Sequence, residues 1–315
     1  MRIVGLAQER CWTWAGPGSV HATTAGMGRP DPVSKGRWRS VFFFLLAWLI
    51  LATGCSGVLQ NIGARWVTHK ISAVFDLDEA QETATRAAVD RAIASAPEVL
   101  GPRLDLLVAT VDRGLSKGLN EQNMLVIERQ VDILMDKAVL WIVDEAAPIL
   151  ATLRDEQIDH AERELDERLQ ETRDELNAPE DERLRNRQEK FVDAIEKWSG
   201  RLSDAQETAI RAYVAAMPDE AADRLRADEQ RLAEIADGLR EHPGAPAIRD
   251  LLWNAWEQRE DWGPGTRSAE ARRADGRKTL FFVYDLLDAK QRDHMSERLH
   301  EMHGTVKRLL GTAGE

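Results

Sequence analysis

The chain has 315 residues, with 54 acidic and 42 basic side chains and a formal net charge of −12 at pH 7. That balance excludes a nucleic-acid binder, because phosphates need a basic footprint, and it argues against adhesion to anionic lipid by charge. Two cysteines, Cys11 and Cys55, are too few for a disulfide framework.

The most apolar run, residues 41–51, is eleven residues long, whereas a helix needs about 20 to cross a bilayer. Its length fits the core of a secretory signal. Lys35, Arg37 and Arg39 precede it, and Ala52, Thr53 and Gly54 lead from it into Cys55. The pattern resembles a bacterial lipobox, which makes Cys55 the expected site of lipid attachment (palmitate among the acyl groups) and Ala52, Thr53 and Gly54 the flank of signal cleavage. The usual Leu three places before the cysteine is here Ala52, with Leu51 one step earlier. Met27 opens a signal of ordinary length, so translation is expected to begin there. Residues 1–54 are then leader and signal peptide, and 55–315 the mature domain. Removing six basic and two acidic residues with the leader takes the formal charge to −16. One acyl chain anchors marginally and several anchor stably; Ser56, where an Asp would mark inner-membrane retention, points to the outer membrane.

Beyond Cys55 no segment alternates with period two, and apolar residues recur at three- and four-residue spacing. The expectation is an all-α, multi-helix bundle. A first helix spans 58–75, with Trp66 and Ile71; a second runs over 78–95. Pro97 and Gly101-Pro102 are expected to break it, before a third helix over 103–116 ended by Gly118. Residues 120–143 form a helix that is apolar on one side through Val126, Val131, Leu134, Val139 and Ile142, and Pro148 marks a break or bend after it.

Of the 37 residues in 154–190, 22 are charged, which leaves a narrow apolar seam of Ile158, Ala161, Leu165, Leu169 and Leu176. After Asn177-Ala-Pro179 the seam resumes at Leu184, Phe191, Ile195 and Trp198. The expectation is a long charged antiparallel helical hairpin with its tip at 177–180. Its first arm of 23 residues would be about 35 Å long, projecting into solvent or lying along the body. Helices follow over 203–215, 219–240, 247–260, 266–286 and 288–310, with turns at His242-Pro-Gly-Ala-Pro246 and Trp262-Gly-Pro-Gly265.

Three helix openings share one form: Leu77-Asp-Glu-Ala-Gln81, Leu202-Ser-Asp-Ala-Gln206 and Leu287-Asp-Ala-Lys-Gln291. An Asp or Ser N-cap followed three residues later by Gln is a capping box. In Leu153-Arg-Asp-Glu-Gln157 the fit is imperfect, since Arg154 cannot accept a bond. The likeness continues past the caps: residues 80–89 match 205–214 at eight of ten positions, and 157–165 share Gln, Asp-His and Leu with 291–299. An internal duplication in the order A, B, A′, B′ is expected.

These motifs resemble an uncharacterised family of Gram-negative helical lipoproteins with Leu-(Ser/Thr)-x-x-Gln helix starts. The resemblance rests on Cys55, Trp66, Phe75-Asp-Leu77 and Trp198-Ser-Gly-Arg-Leu-Ser-Asp-Ala-Gln206, and spans most of 55–310. It implies envelope localisation and a helical fold, and brings no known activity. The Leu-(Ser/Thr)-x-x-Gln element is also similar to the small Spy-like periplasmic chaperones, which are much shorter.

No phosphate loop, HExxH, CxxC or GxSxG is present, and no cofactor or catalytic residue is expected. His300 and His303 lie three apart and reach a metal together with Glu297 only in a minority reading, that of a metal-dependent enzyme; His294 belongs to the same cluster. His160 and His294 follow Asp in matched repeats and read as surface residues. The Trp253/Trp256 and Phe281/Phe282 pairs read as core, with a peptide groove as the alternative. The functional expectation is a lipid-anchored envelope protein facing the periplasm with a structural or interaction role, held to the membrane by its N-terminal lipid and open to protein partners there. A periplasmic folding helper is the second expectation.

Overall fold

The computed structural model describes residues 58–309. Among them are ten helices and no strand: α1 Val58–Phe75, α2 Glu79–Lys117, α3 Glu121–Leu150, α4 Asp155–Asn177, α5 Glu180–Ser199, α6 Asp204–Ala216, α7 Ala221–Arg240, α8 Ala245–Glu257, α9 Ala269–Leu286 and α10 Ala289–Leu309. The all-α bundle expected from the periodicity is what the chain forms. No helix among the described residues is long and apolar enough to cross a membrane.

The first expected helix matches α1 residue for residue. The expected break at Pro97 and Gly101-Pro102 is corrected: α2 runs 39 residues through both prolines. Proline removes only its own N–H and crowds the carbonyl four residues earlier, at about 3 kcal/mol. The helix offsets that cost by packing along its whole length, against α1, α3 and α10. Pro148 likewise lies inside α3, in its last turn. Gly118 (φ 94°) then ends α2 in a left-handed conformation that costs glycine little.

The turn of the charged segment falls at Ala178-Pro179, as expected. The expected hairpin seam is corrected: beyond bonds near the turn the arms pack on other helices, α4 against α7 and α1 and α5 against α6 and α10. The second of the two orientations considered, along the body, is the one adopted. Arg173 on α4 bonds Glu229 on α7 at 2.8 Å, and the Lys190 ammonium bonds Glu175 at 2.9 Å near the turn.

Three apolar clusters hold the helices together. One joins Ala147, Leu153 and Ile158 to Ala236, Leu239 and Ile248, with Phe75 and Leu77 beside them. A second joins Val192, Ile195, Leu202, Ile210, Val214 and Leu287. A smaller third holds Val139, Val143 and Trp256, flanked by Trp253. Trp253 and Trp256 are therefore core, and so is Phe282, which stacks on Tyr213 at 4.1 Å between ring centres.

Candidate functional site

The four repeated helix openings meet in two pairs. Asp78 and Gln81 form a complete capping box at the start of α2, and the Gln81 side chain then continues across to α4. Its Nε2 donates to the Thr152 carbonyl (2.9 Å) and to Gln157 Oε1 (3.1 Å). Gln157 answers in kind: its Nε2 donates to the Asp76 carbonyl (2.9 Å) and to Gln81 Oε1 (2.7 Å). Each amide oxygen also accepts the backbone N–H of its own cap residue, Asp78 or Arg154, at 3.1 Å.

The second pair repeats the first. Gln206 Nε2 donates to the Leu286 carbonyl (2.9 Å) and to Gln291 Oε1 (2.7 Å). Gln291 Nε2 donates to the Arg201 carbonyl (3.0 Å) and to Gln206 Oε1 (3.2 Å). In all four cases the glutamine reaches the carbonyl of the residue just before the leucine of the opposite motif. Those leucines, 153, 202 and 287, are buried, with Leu77 packed alongside. The leucine thus anchors each junction in the core, and the glutamine ties it to its partner.

A pairs with B, and A′ with B′. The duplication read from the sequence is therefore a structural one at the junctions, with α1, α2 and α4 corresponding to α5, α6 and α10, whereas the extensive packing of α2 on α3 is not matched between α6 and α9. The contacts α1 with α2 and α1 with α4 recur as α5 with α6 and α5 with α10. The matched histidines keep equivalent places: His160 Nε2 donates to the Ala73 carbonyl near the end of α1 (3.1 Å), and His294 lies against Gly200 at the end of α5. Arg154, unable to cap, makes half a box and bonds the Asp78 carboxylate instead at 2.9 Å. The Gln81 backbone N–H, then the Arg154 guanidinium, hold that carboxyl below its ordinary range.

The C-terminal histidines are spread over separate carboxylates. His303 Nε2 donates to Asp105 at 2.6 Å and His300 Nε2 lies 3.1 Å from Asp112, both across the α10–α2 seam. His294 is 3.9 Å from Glu297, its neighbour one turn along. No group of three or more His, Cys, Asp or Glu side chains among the described residues is arranged to hold a metal ion. Burial works against ionisation of Asp105, yet the His303 bond and the Lys307 charge leave its carboxyl below the usual value. The Ser296 hydroxyl, then His300, do the same for Asp112 against burial.

On α3, which packs against α2 to form a hairpin, acids spaced four apart meet arginines. Glu128 pairs with Arg277 (3.0 Å) and Asp132 with Arg273 (3.1 Å). Asp136 accepts the Trp256 indole N–H at 2.8 Å, with Arg259 stacked over that ring at 3.7 Å. Arg273 also bonds Glu260 (2.7 Å), and that bond, against burial, keeps the Glu260 carboxyl low. Sequence reading missed these seams, because the bonds that α2 and α3 make across them join residues more than a hundred positions apart.

Cys55 and its flank Ala52, Thr53 and Gly54 lie outside the described residues. What the described part defines is a class: an all-α protein of duplicated helix junctions, whose polar groups are spent on one another. The chain belongs to a family of unknown function, DUF6279, whose model matches residues 99–264, just over half of the sequence. The match takes in the Trp198–Gln206 motif and stops short of the first and last glutamine boxes. Comparison with curated proteins and with solved structures gave no match.

Proposed function

We propose that this is a lipid-anchored protein of the bacterial envelope, facing the periplasm from the outer membrane, with a structural or protein-interaction role. The observation that carries the reading is the apolar run 41–51, preceded by three basic residues and ending through Ala52-Thr53-Gly54 on Cys55. The first described helix begins three residues later, at Val58, so a lipid on Cys55 would hold the bundle close to the bilayer surface. Two features of the fold support a scaffold. The amides of the repeated motif are consumed in holding helix junctions, and the carboxylates of the hairpin α2–α3 are largely consumed in inter-helix pairs. The test is metabolic labelling with a palmitate analogue in cells producing the full chain. Label is expected on the wild type, in the outer-membrane fraction, and absent from Cys55→Ser. Equal labelling of both, or none of either, overturns the anchor.

A further inference from the structure

The net charge argues against adhesion to anionic lipid, but the fold sorts that charge unevenly. In residues 103–137 there are six carboxylates, and five of them bond a neighbouring helix or the segment after α8. Asp105 and Asp112 face α10, and Glu128, Asp132 and Asp136 face Arg277, Arg273 and Trp256. Glu121, in the first turn of α3, is the exception. The five cations of the same stretch, Arg103, Arg113, Lys117, Arg129 and Lys137, are all exposed, and none has an ion-pair partner among the described residues.

The cations share one side. On α2, positions 81, 85, 88, 96, 103, 106, 113 and 117 fall on a single stripe at helical spacing. Gln81, Thr85, Ala88 and Ala96 of that stripe are buried, whereas Arg103, Leu106, Arg113 and Lys117 are exposed. The change has a cause. α1 folds back on α2 from the turn at Asp76 and Leu77, and its 18 residues bring Val58 level with Ala96 at the same rise per residue. Beyond that level Arg103, Leu106, Arg113 and Lys117 are uncovered among the described residues, whereas Gly114, at the edge of the stripe, is buried against Leu119 and Ile127. On α3, Val126 and Lys137 share a face turned away from Glu128 and Asp132, with Arg129 at its edge, on the side of Asp136 seven residues on. Leu106 is 45% and Val126 49% exposed, so large apolar side chains stand among the cations. Cationic and apolar residues interleaved on one helical face are suited to lying in a lipid interface.

We infer that the exposed face of the α2–α3 hairpin, centred on Arg103, Leu106, Arg113, Lys117, Val126 and Arg129, docks on an anionic phospholipid surface. The inference rests on the lipid-anchored reading. Cys55 stands three residues before Val58, a reach of about 10 Å, so an acyl anchor would enter the membrane beside the uncovered stripe. Anchor and face would then act together, the acyl chains supplying residence and the cations orientation. Each cation near anionic headgroups contributes about a fivefold gain in contact.

The test uses the processed protein reconstituted into vesicles of phosphatidylethanolamine and phosphatidylglycerol in equal parts, with phosphatidylcholine vesicles as the comparison. A fluorophore is placed on Leu106→Cys and, as a control, on Glu189→Cys of α5, and its quenching by a lipid-borne nitroxide is read. Strong quenching at 106 and weak quenching at 189, in the anionic vesicles only, is the expected result. Arg103→Gln with Arg113→Gln and Lys117→Gln should cut quenching at 106 at least tenfold while the protein stays on the vesicle. Equal quenching at the two positions overturns the proposal, as does a label at 106 already shielded before lipid is added, which would mean that a protein segment or second copy covers the face. Labelling of the parent protein without an added cysteine reports a free Cys55 thiol, a failure of the anchor reading rather than of the face.

Discussion

Gln157→Ala is the sharpest test of how the fold is tied together. The side chain is 2% exposed and makes four bonds: two from its amide nitrogen, to the Asp76 carbonyl and Gln81, and two to its oxygen, from the Arg154 N–H and Gln81. A net bond is worth about 0.5–1.5 kcal/mol, and a buried partner left without one costs about 1–3 kcal/mol. The Arg154 N–H lies at an exposed helix start, where water replaces the lost acceptor, so its share is small. The Asp76 carbonyl also belongs to an exposed residue, so the buried Gln81–Gln157 bonds dominate, and the expected loss is about 2 kcal/mol. The assay is urea unfolding of the purified protein followed by far-ultraviolet circular dichroism. Gln81→Ala should cost a similar amount, and the double variant distinctly less than the sum, with a coupling of about 1–2 kcal/mol. Gln157→Ala with Gln206→Ala, one from each junction, should add to within about 0.5 kcal/mol. Gln157→Glu should be worse than the alanine at neutral pH, because a carboxylate turns acceptors toward the Asp76 carbonyl and Gln81 Oε1. A cost for Gln157→Ala under about 0.5 kcal/mol, or strict additivity with Gln81→Ala, would refute the interlock.

Other expectations follow from single sites. Thr85 is 1% exposed and its hydroxyl has no partner among the described residues, while its counterpart in the second unit is the fully buried Ile210; Thr85→Val should raise the unfolding free energy by about 1 kcal/mol, and a loss would contradict the match between the units. Gly101 sits inside α2 with open space where a Cβ would go, so Gly101→Ala should stabilise by about 0.5–1 kcal/mol in the same assay. Asp105 and Asp112 are held below their ordinary 3.8 by their α10 partners. The folded state therefore binds fewer protons, and the stability they contribute is present above that value and lost as pH falls through their folded values. Unfolding midpoints measured between pH 5 and pH 3 should drop less steeply in Asp105→Asn with Asp112→Asn than in the wild type. Purified protein at stoichiometric excess should leave the aggregation of an unfolded client unchanged; suppression would favour the folding-helper reading.

The parts of this fold that the sequence showed are local ones. Capping boxes at 78–81, 203–206 and 288–291 lie within one helical turn, so residue types and spacing suffice to place them, and helix starts fall within a few residues of expectation. Even the departure at Arg154 was legible, because a guanidinium accepts nothing. What was not legible is non-local. Pro97 and Pro102 read as breaks because local propensity carries no knowledge of the helices packed along α2. The likeness of the repeats was visible, but not that Gln81 would reach Gln157 and Gln206 would reach Gln291. His300 and His303 drew attention as neighbours on one helix, whereas their partners Asp112 and Asp105 lie on another. Above all, a net charge of −12 is a sum, and it conceals that five of the six carboxylates in 103–137 bond other elements while the five cations there are exposed.

The measurement that bears most directly on the functional account is the intact mass of the protein extracted from its own membrane. The account expects a chain beginning at Cys55 whose mass exceeds that of residues 55–315 by a diacylglyceryl group and an amide-linked fatty acid. A bare thiol at position 55, or a mass that still includes residues 27–54, would contradict it.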